Sequence, residues 1–122
     1  VFGGGEVIVL PYPPRELNPN SRTHWARKAK HTKACRTRAG WETKASGVKV
    51  DWDGKIDVHI SFYPPDRRGR DQDGMLSSSK AYLDGIADAL GVNDKRFQLH
   101  LYVGEPVKGG KVVVRIEKPR AE

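Results

Sequence analysis

The hydrophobic period of this chain switches at Pro64-Pro65, and that switch points to a fold in which a helix packs on a sheet. Over residues 55–63, Ile56, Val58, Ile60 and Phe62 alternate with polar partners, the period-2 pattern of a strand with one buried face. The proline pair stops the ladder. Over residues 73–90, at about 100° per residue, Met75, Ser79, Tyr82, Leu83, Ile86 and Leu90 share one face. Asp73, Ser77, Lys80, Asp84 and Asp88 share the other. One amphipathic helix is expected there, with Gly91 as its C-terminal cap.

The flanking segments complete the outline. Residues 6–10 are a short apolar strand closed by Pro11-Tyr12-Pro13-Pro14, and residues 15–21 a Pro- and Asn-bearing loop. Residues 22 to about 46 lack proline and predict one long helix with a thin apolar stripe of Trp25, Ala29, Cys35 and Ala39. Arg27, Lys28, Lys30, Lys33, Arg36, Arg38 and Lys44 make the rest of it positive. After a connector at 47–54, the strands at 97–103 and 111–117 flank a turn with Pro106, Gly109 and Gly110, and are expected to form a hairpin. Strand, helix, strand, helix, strand, strand predicts an α+β fold, a mixed α/β sandwich of about four strands and two helices rather than a doubly wound sheet. At 122 residues a single domain over 1–122 is expected. Residues 1–5, which start without methionine, are set aside as flexible or extraneous to the fold.

The chain carries 22 Lys and Arg against 15 Asp and Glu, a formal charge of +7. That balance favours a polyanionic partner, with nucleic acid foremost, although many small proteins are basic for solubility alone. The single cysteine, Cys35, forms no intrachain disulfide, and no paired Cys-X-X-Cys offers a zinc site, which fits a reducing cytoplasm. With no run of about 18 apolar residues and no apolar leader, neither a membrane span nor a signal peptide is expected.

The densest chemistry lies in Asp66-Arg67-Arg68-Gly69-Arg70-Asp71-Gln72-Asp73-Gly74, followed by Lys80 and Asp94. Two carboxylates two residues apart at a helix start can converge on one Mg²⁺, which takes few protein carboxylates and leaves the rest of its shell to water and phosphate. Arg67, Arg68 and Arg70 beside them suit a phosphate backbone. Aspartate also caps helices and shapes turns, so Asp71, Asp73 and Asp94 have a purely structural reading as well. His24, His31, His59 and His100 show no spacing suited to a metal and read as surface or core-edge residues. Around His24, the residues Arg22, Trp25, Arg27, Lys28 and Lys30 suggest a DNA-contacting face on the first helix, with Trp25 or Tyr12 stacking on an opened base. Trp41 and Trp52 are assigned to the core or a dimer interface.

The stretch from Pro65 to Asp73, together with Lys80-Ala81-Tyr82-Leu83-Asp84-Gly85-Ile86-Ala87-Asp88-Ala89-Leu90-Gly91-Val92-Asn93-Asp94, resembles the core of the RusA family of Holliday-junction resolvases. Leu10-Pro11-Tyr12-Pro13-Pro14 and Lys108-Gly109-Gly110 resemble that family too. The resemblance implies a homodimeric, Mg²⁺-dependent endodeoxyribonuclease, with Mn²⁺ as a substitute and no small-molecule cofactor. It would cut four-way DNA junctions during recombination and repair, in the cytoplasm of a bacterium or phage-infected cell. By motif position it implies Asp71, Asp73 and Asp94 as catalytic metal ligands and Lys80 as the essential lysine. Two positions depart from the pattern: Gly74 stands where the family usually has Asn, and Ser77 where many members carry the lysine. Positions 77 and 80 lie within about 60° on a helix, which lets Lys80 serve from one turn further on.

Geometry adds one expectation. A continuous helix over 73–90 is roughly 25 Å long, so Asp94 joins Asp71 and Asp73 only if the chain folds back or a second subunit supplies it. A two-fold axis that brings Asp94 of one subunit to Asp71 and Asp73 of the other is expected, which suits a two-fold symmetric junction. The alternatives are a branched-DNA-binding module without catalysis and a less selective flap or single-strand nuclease.

Overall fold

Residues 7–120 are described by the computed structural model. They form strands β1 (Val7–Leu10), β2 (Ile56–Tyr63), β3 (Phe97–Val103) and β4 (Lys111–Glu117), with helices α1 (Trp25–Ser46), α2 (Gln72–Ser78) and α3 (Lys80–Leu90). Short 3-10 turns occupy Arg15–Leu17 and Asp94–Arg96. Residues 1–5, and Glu6 of the first expected strand, lie outside the described range. The architecture is α+β with one mixed sheet in the order β1-β4-β2-β3.

β2 is central because its buried face is continuous: Ile56, Val58, Ile60 and Phe62 are all fully buried. Ile8 and Leu10 of β1 and Val112, Val114 and Ile116 of β4 extend that layer, and Cys35, Ala39, Met75, Tyr82, Leu83 and Ile86 close it from the helical side. The Tyr82 hydroxyl reaches through the layer and donates to the Pro11 carbonyl at 2.7 Å. α1 and α3 cross so closely at Gly85 that a Cβ there would fall 2.1 Å from the Arg36 carbonyl oxygen. Arg36 also ties the two helices by a two-pronged pair to Asp88, at 2.6 and 2.9 Å.

Three expectations are corrected. The hairpin of 97–103 with 111–117 does not form: β2 lies between those strands, parallel to β3 and antiparallel to β4. A right-handed crossover through the helices is the usual way to join parallel β2 and β3. The helix expected over 73–90 is broken at Ser79, whose φ −97° and ψ 2° leave the helical region. Ser78 Oγ and Ser79 Oγ each donate to the carbonyl four residues back, Gly74 O at 2.8 Å and Met75 O at 3.1 Å, a bonding pattern that bends helices. The stripe of α1 is buried at Cys35, Ala39 and Thr43, whereas Trp25 and Ala29 are exposed, Trp25 by 76%. Of Trp41 and Trp52, assigned to the core or a dimer interface, Trp52 packs against the core and Trp41 is 71% exposed. No helix among the described residues is long and apolar enough to cross a membrane.

Candidate nucleic-acid and metal site

The loop after β2 turns on Asp66. Its carboxylate takes Arg68 Nη2 at 3.1 Å and Arg70 Nη1 at 2.9 Å, and accepts the Arg68 backbone N–H at 3.0 Å. The hydrogen bonds from Arg68, then Arg70, hold this carboxyl well below the usual carboxylate range. Arg70 also donates to the carbonyls of Asp66 and Arg68 and lies 5.7 Å over the Tyr12 ring. This order is what makes the loop a surface rather than a flexible charge run: Tyr12, Arg15, Asn18, Arg68, Arg70 and Asp71 line a groove of about 500 Å³. Arg67 points away from it, 3.5 Å from Glu105.

Asp71 closes one end of the groove as the N-cap of α2, its Oδ1 accepting the Gly74 N–H at 2.5 Å. A Cβ at position 74 would sit 2.5 Å from that same oxygen, so glycine here leaves Asp71 in its capping position, where an Asn would displace it. Asp73, two residues on, is exposed in the first turn.

Beyond α3 the chain folds back. Gly91 takes a left-handed φ of 69°, and Val92 N–H returns to the Ala87 carbonyl at 3.1 Å, the arrangement that reverses a chain at a helix end. Asp94 thereby comes alongside the start of α3, where Lys80 Nζ donates to Asp94 Oδ2 and to Asp84 Oδ1, both at 3.0 Å. Hydrogen bonds to Asp84 and then to Asp94 push the Lys80 pKa up, so the ammonium stays charged. Leu76, Ser77, Lys80, Leu83, Asp94, Phe97 and Leu99 line a second concavity of about 410 Å³ between the helices and β3.

Of the residues singled out in the sequence, Lys80 and Asp94 are brought into contact, and Arg68, Arg70 and Asp71 share a groove. Asp71, Asp73 and Asp94 do not converge: among the described residues, the three-residue set of His, Cys, Asp or Glu with ligand atoms within 4.8 Å of one another is Asp57, His59 and His100. Asp84 joins Lys80 at 3.0 Å, a contact whose sequence signal is their i, i+4 spacing. His59 and His100 have no metal-like spacing in the sequence, yet the parallel register of β2 and β3 sets them side by side with rings stacked at 4.6 Å. His24 caps α1 by accepting the Ala26 N–H at Nδ1, 3.2 Å, with Trp25 beside it at 5.5 Å between rings. Arg22, Trp25, Arg27 and Lys30 are exposed around it and Lys28 is half-buried. The turn at Arg15–Leu17 touches both α1 and α2, linking this end of α1 to the groove.

No protein-family model matches the chain. A protein of Xylella fastidiosa (strain Temecula1 / ATCC 700964), described as an uncharacterized protein, is 44% identical over 119 residues, spanning 91% of this chain and 75% of that protein. At that identity and coverage, the chain belongs to the same family as the Xylella fastidiosa protein.

Proposed function

We propose that this chain is a metal-dependent, structure-selective endodeoxyribonuclease that resolves four-way DNA junctions as a homodimer, in the manner of the RusA family its sequence resembles. The observation that carries the reading is the Lys80–Asp94 pair: two residues implicated by the motif, 14 positions apart, meet at 3.0 Å on one concave surface.

The donor chemistry suits Mg²⁺. Asp71 is an exposed hard oxygen donor lining the groove that carries Arg15, Arg68 and Arg70, Asp73 is exposed two residues on, and Mg²⁺ needs only one or two protein carboxylates when phosphate and water complete its shell. When bound there, the ion supplies polarisation of the scissile phosphate and a lower pKa for the attacking water. Arg68 and Arg70, which line the groove, would contact backbone phosphates. Lys80 keeps a fixed positive charge toward the oxygens on which charge builds. Asp94, bonded here to Lys80, would be a further ligand, from the same chain or from the second subunit. The homodimer is supported by β3, an edge strand whose Leu99 is exposed in the Lys80–Asp94 concavity and whose Tyr102 and Val103 are exposed further along the strand.

A second reading, a branched-DNA-binding module without catalysis, is favoured by the engagement of Asp71 as a cap. Cleavage of a labelled four-way junction, with a linear duplex of the same sequence as control, separates the two. The experiment compares wild type with Asp73→Asn, each with Mg²⁺ and with chelator. Paired nicks confined to the junction, to metal and to wild type are the expected result. Metal-independent binding with no nicks would replace the nuclease with the module, and cutting of flaps or single strands in preference to junctions would replace it with a less selective nuclease.

A further inference from the structure

The sheet face opposite the helices presents Asp57, His59, His100 and Tyr102, with Arg115 and Glu117 on the neighbouring strand. We infer that Asp57, His59 and His100 form a site for a borderline divalent transition cation such as Zn²⁺, separate from the aspartates proposed to hold Mg²⁺.

The geometry follows from the register. Parallel pairing sets His59 opposite His100, and Asp57, two residues before His59, points to the same face. One ligand atom from each of the three lies within 4.8 Å of the other two. His100 Nε2 and Asp57 Oδ1 are 3.1 Å apart, close to the roughly 3.3 Å that separates two ligand atoms on a tetrahedral ion with bonds of about 2.0–2.1 Å. An ion between them would replace that contact with two bonds, with His59, whose ligand atom lies within 4.8 Å of both, as its third ligand.

The surroundings suit ligation as well. Metal-binding imidazoles are oriented through the ring nitrogen that does not bind, and His59 has a partner for either choice. Tyr102 Oη lies 3.3 Å from Nδ1, and Glu117 Oε2 lies 3.3 Å from Nε2. Arg115 is the cation in this patch, and its Nε lies 2.8 Å from Glu117 Oε1, so the two carboxylates of Asp57 and Glu117 outweigh it and leave the site net negative. Two imidazoles and one carboxylate select a transition cation over Mg²⁺, which prefers all-oxygen shells. Asp57, His59 and His100 are each half-buried, so a fourth position stays open to water. Because β3 is bonded to the sheet on one side only, an ion shared by β2 and β3 acts as a clasp on that edge.

The test is titration of the tag-free, metal-stripped protein with Co²⁺, followed by visible absorption, with Zn²⁺ as competitor. One equivalent is expected to bind, to be displaced by Zn²⁺, and to be unaffected by excess Mg²⁺. His59→Gln and His100→Gln are each expected to weaken binding at least ~10-fold, while Asp73→Asn and His31→Gln leave it unchanged. In the wild type, Co²⁺ should broaden the ring NMR signals of His59 and His100 first, a readout that does not depend on any variant folding. Absence of saturable binding up to about 1 mM Co²⁺, a level of affinity worth only about 4 kcal/mol, would overturn the site, as would binding lost in Asp73→Asn but kept in both histidine variants.

Discussion

Asp71 has two roles that a pair of substitutions separates. As the α2 cap it accepts the Gly74 N–H, and as a proposed metal ligand it contributes charge. Asp71→Ala removes the acceptor, which for an N-cap costs about 1 kcal/mol. With an unfolding entropy of about 2.1 cal/mol/K per residue over 122 residues, that lowers Tm by about 4 °C. Asp71→Asn keeps an acceptor oxygen, and Asn is an equally good cap, so Tm should stay within about 1–2 °C of wild type. Cleavage should respond differently: both variants lose the charge, and both should cut junctions slower by on the order of 100-fold, about 2.7 kcal/mol of transition-state stabilisation. Thermal melts by circular dichroism and single-turnover junction cleavage in Mg²⁺ give the two readouts. An Asn variant that melts as low as the Ala variant would refute the capping role. One that cleaves at the wild-type rate would refute the metal role.

Two further outcomes follow from contacts away from that carboxylate. Gly85→Ala drives a Cβ into the Arg36 backbone carbonyl, which no rotamer change relieves, so urea unfolding should show a loss of about 1–3 kcal/mol typical of overpacking; an unchanged midpoint would mean that α1 and α3 lie farther apart. Asp66, its carboxyl pKa lowered by Arg68 and Arg70, contributes stability that is present above its unfolded value of about 3.9 and lost as pH falls through its folded value. NMR titration should place its midpoint below that of a free aspartate, and Arg68→Gln with Arg70→Gln should raise it toward the free value, short of it because the Arg68 backbone N–H bond remains; an ordinary wild-type midpoint would show that the loop pairs do not persist.

What the sequence disclosed, and what it hid, follows the range of the interactions. The period-2 run at Ile56, Val58, Ile60 and Phe62 was legible because burial of one face writes itself directly into alternation. Gly91 as a cap was equally local. The break at Ser79 was hidden because Met75, Ser79 and Tyr82 keep the 3.6 period across it, and the hydroxyl bonds that bend the helix leave that pattern intact. The expected hairpin failed because nearness in sequence favours pairing of 97–103 with 111–117, whereas β2, with the most apolar face, takes both as neighbours. Without that register the stacking of His59 on His100 had no signal, since 41 residues separate them. The candidate aspartates were visible as a motif; the contact of Lys80 with Asp94 and Asp84 needed the return of the chain after Gly91.

The position of β1 sets the order of events in folding. Its hydrogen-bonded partner in the sheet is β4, so Val7 waits for Arg115 and Leu10 for Val112, a closure spanning more than a hundred residues. Until that far segment joins, β2 has one open flank and the apolar side of β1 has no sheet to lie in. Pairing at such separation is slow, because chain entropy is lost before the contacts that offset it are made. Assembly is therefore expected to end at β1, and a chain released short of β4 would carry its hydrophobic strands exposed to aggregation.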